Sequence, residues 1–251
     1  MGETALKQRA RRALERQRDY QARKADKVRG FEDSIIATMA AESAAVRDKL
    51  AAVQPIAPDA RVLEVGSGAH GLIFFFDAAD RTGVDPLADE YRSLFPAWQS
   101  RAKTVAAFGE ALPLDSAAFD IVLSDNVVDH AENPRRIVEE MVRVLKPGGL
   151  LYFTVHVHHP LYHWASLVHA SWRAIGIPFE ITPFADHTVH FTRPRARALF
   201  DRLPLRLVGV TDTIDETRRL GRELKARHIG DRLKRWFYKN AELEVIAVKE
   251  T

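Results

Sequence analysis

Between residues 60 and 160, short apolar runs alternate with polar, turn-forming stretches. Val62, Leu63 and Val65 form the first strand signal, and residues 81–85, 103–108, 119–124 and 150–157 form four more. The intervening stretches have helical character. Residues 72–76 are apolar on most faces and predict a buried helix, with Phe74, Phe75 and Phe76 packing on a sheet. A second helix is expected around 89–94. A third, over 133–145, is amphipathic, with Ile137, Met141, Val144 and Leu145 on one side. Lys146-Pro-Gly-Gly149 is expected to stop it with a residue in the left-handed conformation. Strands alternating with helices predict an α/β protein with a parallel, doubly wound sheet. Ligands of such sheets sit outside the carboxyl ends of the strands. Glu64, Asp85, Glu110 and Asp125 are all expected along that edge.

The flanks read differently. Residues 5–29 predict an exposed helix with little apolar content, punctuated by Gly30. A second helix, 33–53, carries Ile36, Met39, Ser43, Val46, Leu50 and Val53 at helical spacing, a stripe suited to packing on the core or covering a cofactor edge. Pro55 and Pro58 then lead into the first strand. The chain therefore divides into an N-terminal helical extension, 1–54, and one domain, 55–251. That domain carries two insertions, at about 158–190 (a helix at 161–175 and a loop at 176–183) and at 215–239.

The chemistry centres on Val62-Leu-Glu-Val-Gly-Ser-Gly-Ala-His-Gly71. Gly66 and Gly68 allow positive φ and close approach of a ligand to the backbone. A helix after the turn would direct unpaired N–H groups at that ligand. Glu64 is an acid in an otherwise apolar strand, and in the crevice above the strand ends it could meet a cationic group. Gly66, Gly68 and Gly71 also satisfy the dinucleotide-binding spacing G-x-G-x-x-G, and Asp85 lies about where an acid meets a ribose hydroxyl. NAD and S-adenosylmethionine both carry such a ribose, but only S-adenosylmethionine brings an ammonium group for Glu64.

Composition removes several classes. There are no cysteines, hence no disulfide framework and no thiolate metal site. No apolar run reaches membrane-spanning length and the N-terminus reads as a charged helix, so the expectation is a cytoplasmic protein. The net charge of +3 hides an asymmetry. Residues 7–29 hold ten Lys/Arg against three acids and residues 215–239 hold nine against four, leaving 18 basic and 27 acidic residues elsewhere. Two solvated helix faces explain the basic stretches most simply; the functional alternatives are an anionic acceptor, peripheral contact with an anionic membrane, or nucleic acid. Aromatics in the second stretch are grouped at Trp236, Phe237 and Tyr238 rather than interleaved for base stacking, which disfavours nucleic acid.

Five segments together resemble the class I S-adenosylmethionine-dependent methyltransferases, in the broad branch of quinone C-methyltransferases and small-molecule O-methyltransferases. They are Glu64-Val-Gly-Ser-Gly68, Asp85, Gly109-Glu-Ala-Leu-Pro113, Phe119-Asp-Ile-Val122 and Arg143-Val-Leu-Lys-Pro-Gly-Gly149. The resemblance covers residues 62–157. It implies a Rossmann-like, mostly parallel sheet of seven strands, closed by an antiparallel pair for which residues 205–210 and 243–248 alternate suitably. It further implies that Glu64 with the Gly66-Ser67-Gly68 turn holds the methionine part and Asp85 the ribose hydroxyls. Glu110 with the Ala111 N–H would read adenine, and Asp125 would lie near the sulfonium. Two departures stand out: His70 replaces a common third glycine, and Glu110 replaces a more usual Asp.

Seven of the ten histidines fall between 156 and 190. His158, His159 and His163 lie close together, but their spacing is irregular and Pro160 interrupts it, so no metal site is expected. His130 follows the fourth strand and His158 the fifth, and both are candidates for the base that deprotonates an acceptor. Methyl transfer to an oxygen of a small-molecule, sugar or lipid-linked acceptor is the expected activity. A nicotinamide-dependent oxidoreductase and a catalytically silent cofactor-binding module are the alternatives.

Overall fold

A computed structural model of the chain describes residues 3–161, 189–223 and 237–251. Its centre is β1 (Arg61–Val65), flanked on both sides by parallel neighbours, β2 (Asp80–Val84) and β4 (Phe119–Asp125). Outside β2 lies β3 (Lys103–Val105), and outside β4 lies β5 (Leu145–Val157), both again parallel. β7 (Ala241–Lys249) then runs antiparallel to β5, and β6 (Leu205–Asp212) antiparallel to β7. The order is therefore 3-2-1-4-5-7-6, the seven-stranded, mostly parallel sheet with a closing antiparallel pair that the sequence resemblance implied.

Central strands covered on both faces need apolar residues at successive positions, and alternate ones serve different layers. Leu63, Val122, Leu151, Phe153 and Ala247 join one core layer with Ile137, Val138 and Met141 of α5 (Pro134–Val144). Val62, Ile121, Leu123, Tyr152 and Ile246 join the other, against α2 (Glu32–Ala51) and Phe74 and Phe76. The expected stripe on α2 is seen as buried Met39, Ser43, Val46 and Leu50, and the Ser43 hydroxyl donates to Leu72 O at 3.0 Å. Asn133 caps α5 by accepting from Arg136 N, with Pro134 in its first turn. Among the described residues the other α-helices are α1 (Glu3–Val28), α3 (Ala88–Leu94), α4 (Pro96–Gln99), α6 (Arg193–Arg197) and α7 (Ile214–Glu223).

Two local expectations are corrected. Residues 72–76 do not form a helix but a single 3-10 turn, Leu72–Phe74. Its N–H groups at Leu72 and Ile73 go to the Glu64 carboxyl, and the Arg81 guanidinium takes the carbonyls of Phe74 and Phe76, so the chain turns back toward β2. Residues 145–149 do not cap α5; they begin β5, with Leu145 opposite Phe119 and a register shift before Ile121. Gly148 does take positive φ, inside that irregular strand. Lys249 of β7 caps α5 instead, its Nζ donating to Val142 O and Leu145 O at 2.6 and 2.7 Å. The expected helix at 161–175 and loop at 176–183 lie outside the described residues. So does the part of the basic segment beyond α7, up to residue 236. Among the described residues no helix is long and apolar enough to cross a membrane.

Candidate functional site

With β2 on one side of β1 and β4 on the other, the crossovers diverge and leave a crevice at the carboxyl ends of these strands. The crevice holds a cavity of about 500 Å³, within the range that takes a nucleotide-sized ligand. Its floor is the turn after β1. Gly66 has φ +77° and Gly68 φ +52°, and a Cβ on Gly66 would lie 2.3 Å from Val127 Cγ1. Two N–H groups of the turn, Gly66 and Ser67, donate to Val84 O at 2.7 and 3.1 Å. Asp85, at the end of β2, accepts from Gly68 N at 3.0 Å and from Leu87 N at 2.8 Å. Burial raises its pKa to about 6 against the pull of those N–H groups. From the far side Trp98 Nε1 donates to Ala69 O at 2.7 Å, and Gln99 Nε2 donates to the carbonyls of Gly68 and Ala69. The turn is thus held from three directions before any ligand arrives.

Glu64 lies in the cavity wall, but its carboxyl serves the fold. Its oxygens accept from Leu72 N at 3.2 Å and Ile73 N at 2.9 Å, and the residue is 1% exposed. Burial pushes its pKa to about 8; the Asp125 and Asp85 charges raise it further while the Ile73 and Leu72 N–H groups pull it down. Gly71 makes this packing possible, because a Cβ there would lie 2.3 Å from Glu64 Oε2. The N–H groups expected to face a ligand are therefore spent on Glu64.

The rim places the other predicted residues. Glu110 lines the cavity, and its Oε1 accepts from Glu132 N and Asn133 N just before α5. Ala111 does not present its N–H to the cavity; it donates to Phe108 O at 3.2 Å. Asp125, at the end of β4, accepts from the Thr154 hydroxyl. His130 ends a 3-10 turn (Val128–His130) on the rim, 44% exposed at its side chain, with Nε2 3.7 Å from Asp129 Oδ1. Asp129 is fully buried and raised to about 6 by that burial, with the His130 charge opposing.

His158 is the clearest departure. Fully buried, it lies outside the residues that line the cavity. Its Nδ1 accepts from Asn240 N at 3.3 Å, its own N–H donates to Phe191 O, and its ring lies 5.2 Å from that of His190. Burial lowers its pKa to about 3, helped by His190, Lys239 and His156. It fastens β5 to the segments at 190–191 and 238–240 and does not reach the cavity. His163, His169 and His187 lie outside the described residues, and among the described ones no group of three His, Asp or Glu is arranged to hold a metal.

Sequence reasoning missed several lining residues. Gln17 and Gln21 come from α1, which reads as a solvated helix, and Phe108 and Val127 come from loops after β3 and β4. His70 was noted only as a departure from a glycine pattern, yet it lines the cavity with its ring 5.0 Å from Phe95 and 5.3 Å from Trp98.

Residues 63–153 match the model of a family described as a methyltransferase domain. An uncharacterized methyltransferase of Mycobacterium tuberculosis is 36% identical over 152 residues, 59% of this chain and 58% of that protein. The match thus spans less than two thirds of the curated relative. Among solved structures, the geranyl diphosphate C-methyltransferase of Streptomyces coelicolor, in complex with Mg²⁺, geranyl diphosphate and S-adenosyl-L-homocysteine, aligns with a TM-score of 0.57 at 16% identity. That alignment covers 84% of this chain and 79% of the other. The cyclase SpnF aligns with a TM-score of 0.54 at 18% identity, over 82% and 80%. These structures show a shared fold. The family match bears out the resemblance to class I methyltransferases.

Proposed function

We propose that this protein transfers a methyl group from S-adenosylmethionine to an oxygen of a small-molecule, sugar or lipid-linked acceptor. The observation that carries this reading is the pinned Gly66–Gly68 turn with Asp85 beside it, flooring a 500 Å³ cavity inside the segment that matches a methyltransferase domain. The residues suit the cofactor. Asp85 faces the cavity beside the turn, as a ribose diol requires. Leu87, Ala107 and Phe108 supply apolar walls for a purine, with Glu110 at its edge. The bound cofactor would supply an already activated methyl: the new O–C bond forms as the S–C bond breaks, its electron pair staying on sulfur.

The protein's own contribution is placement and proton handling. In-line alignment of the acceptor supplies most of the acceleration. His130, on the rim and backed by the Asp129 carboxylate, is the side chain suited to take the acceptor's proton. A nicotinamide reading fits less well. Dinucleotide-binding sheets run 3-2-1-4-5-6, whereas here antiparallel β7 inserts between β5 and β6.

Because the fold also serves a cyclase, the test must read binding and then transfer. Thermal stability is measured with S-adenosylhomocysteine, S-adenosylmethionine and NADH added separately. A hundredfold excess over the dissociation constant stabilises by about 2.7 kcal/mol, or roughly 5–10 °C for a chain of this size. Stabilisation by the adenosyl ligands, lost in Asp85→Ala, supports the reading, and an acceptor screen for methyl incorporation follows. Stabilisation by NADH alone overturns it. Adenosyl binding without transfer to any acceptor would favour a silent module.

A further inference from the structure

The edge of the cavity under α1 holds polar groups that the fold leaves without partners. Gln21 is 6% exposed, lines the cavity, and its Oε1 is buried without a hydrogen bond. His70 lines the same cavity, and its Nε2 is likewise buried without a hydrogen bond. Buried polar atoms in folded proteins almost always have partners, and two orphans on residues that line one cavity leave hydrogen-bonding capacity that a ligand can use. Lys24, partly buried, stands behind them: its charge is felt at His70 and burial destabilises it.

These groups meet through helical spacing. Gln17, Gln21 and Lys24 lie four and three residues apart, on one face of α1. Gln17 and Gln21 line the cavity, Gln17 bonding Tyr91 on α3, and the Lys24 charge acts on His70 beside the glycine turn. The His70 ring is held between Phe95 and Trp98, and burial lowers its pKa to about 4, which leaves it neutral. A neutral imidazole with its proton on Nε2 donates one hydrogen bond.

We propose that α1 completes the cofactor site, with Gln21 and His70, backed by Lys24, receiving the zwitterionic amino-acid end of the adenosyl cofactor. The inference rests on the methyltransferase reading above. A zwitterion brings an ammonium for the Gln21 amide oxygen and a carboxylate for the His70 N–H and the Lys24 charge. A purine or ribose offers nothing anionic to Lys24. Glu64, the acid that would otherwise meet the ammonium, is 1% exposed with its carboxyl turned onto the Leu72 and Ile73 N–H groups, whereas Asp85 is only partly buried. Helix α1 lies outside the segment that matches the methyltransferase domain, so the Gln21 and Lys24 contributions come from the N-terminal helix, whereas His70 lies within the matched segment.

Calorimetric titration of the full chain with two ligands tests this. S-adenosylhomocysteine has the amino-acid end, and 5′-methylthioadenosine lacks it. Gln21→Leu, His70→Phe and Lys24→Met keep most of the packing while removing the polar group. The unliganded melting temperature reports whether each variant folds, and any one folded variant suffices. Expected is a loss of roughly tenfold or more in S-adenosylhomocysteine affinity, from a hydrogen bond to a charged group, with methylthioadenosine affinity within about twofold of wild type. Asp85→Ala should weaken both ligands. Equal weakening of both ligands by the α1-side variants, or no change in either, overturns the inference and leaves the function reading standing. Wild-type protein that binds neither ligand overturns both.

Discussion

Glu64 makes a quantitative demand on the unliganded protein. Burial moves its carboxyl from an ordinary 4.5 to about 8 in the folded state. Between those values the folded chain holds a proton that the unfolded chain has released. Stability from this group is therefore complete below about pH 4.5 and is lost as pH rises toward 8. Within the window each pH unit removes about 1.4 kcal/mol, so pH 5.5 to 7.5 removes about 2.7 kcal/mol. For a chain of this length that is roughly 5–10 °C of melting temperature.

Glu64→Gln isolates this contribution. The amide oxygen can serve one of the two N–H groups at Leu72 and Ile73, but the NH2 opposes the other, a loss of about 1–3 kcal/mol that does not vary with pH. Asp85 and Asp129, both raised to about 6, tilt the pH profile in the same sense in both proteins and cancel in the difference. Urea denaturation of both proteins at pH 5.5, 6.5 and 7.5, at fixed ionic strength and without ligand, gives that difference. The difference should shift by about 2.7 kcal/mol in favour of Glu64→Gln between pH 5.5 and pH 7.5, wild type losing stability that the variant keeps. Parallel profiles would mean that Glu64 is ionised throughout and would refute the reasoning.

Gly66→Ala should cost about 2–4 kcal/mol, from positive φ and from crowding of Val127, and should impair adenosyl-ligand binding. Urea denaturation and titration check it, and a variant that folds and binds like wild type would contradict the close approach. His158→Ala should cost about 2–4 kcal/mol by opening a buried site and freeing Asn240 N, yet leave turnover per folded molecule unchanged. His130→Ala should do the reverse, lowering turnover at nearly constant stability and cofactor affinity; the opposite pattern would exchange their roles.

Most of the sheet was legible because its signals are local. Val62, Leu63 and Val65 before Gly66, and the acid at Asp85, state a strand, a turn and a crevice within a few residues of one another. The failures lay where a distant partner took a backbone group. No periodicity shows that Arg81 takes the carbonyls of Phe74 and Phe76 and ends the expected helix after one turn. Nor can the Pro-Gly-Gly segment show that Lys249, about a hundred residues away, caps α5 and frees residues 145–149 for a strand.

The candidate site divides along the same line. Gly66, Gly68 and Asp85 were found because a turn's φ and a strand-end acid are written in short stretches. Glu64 was found for its position, but its task depended on Gly71, seven residues on, whose missing Cβ lets the carboxyl fold onto the backbone of Leu72 and Ile73. His158 was misread because leaving a strand's carboxyl end is necessary but not sufficient for reaching the crevice; residues 190–191 and 238–240 close over it. Helix α1 shows the limit most plainly. A helix face of Gln17, Gln21 and Lys24 has no apolar stripe, so by pattern it belongs in water. A ligand-binding wall and a solvated face share that polarity, and burial against a cavity is what separates them: Gln21, polar and 6% exposed, is where that distinction first becomes visible.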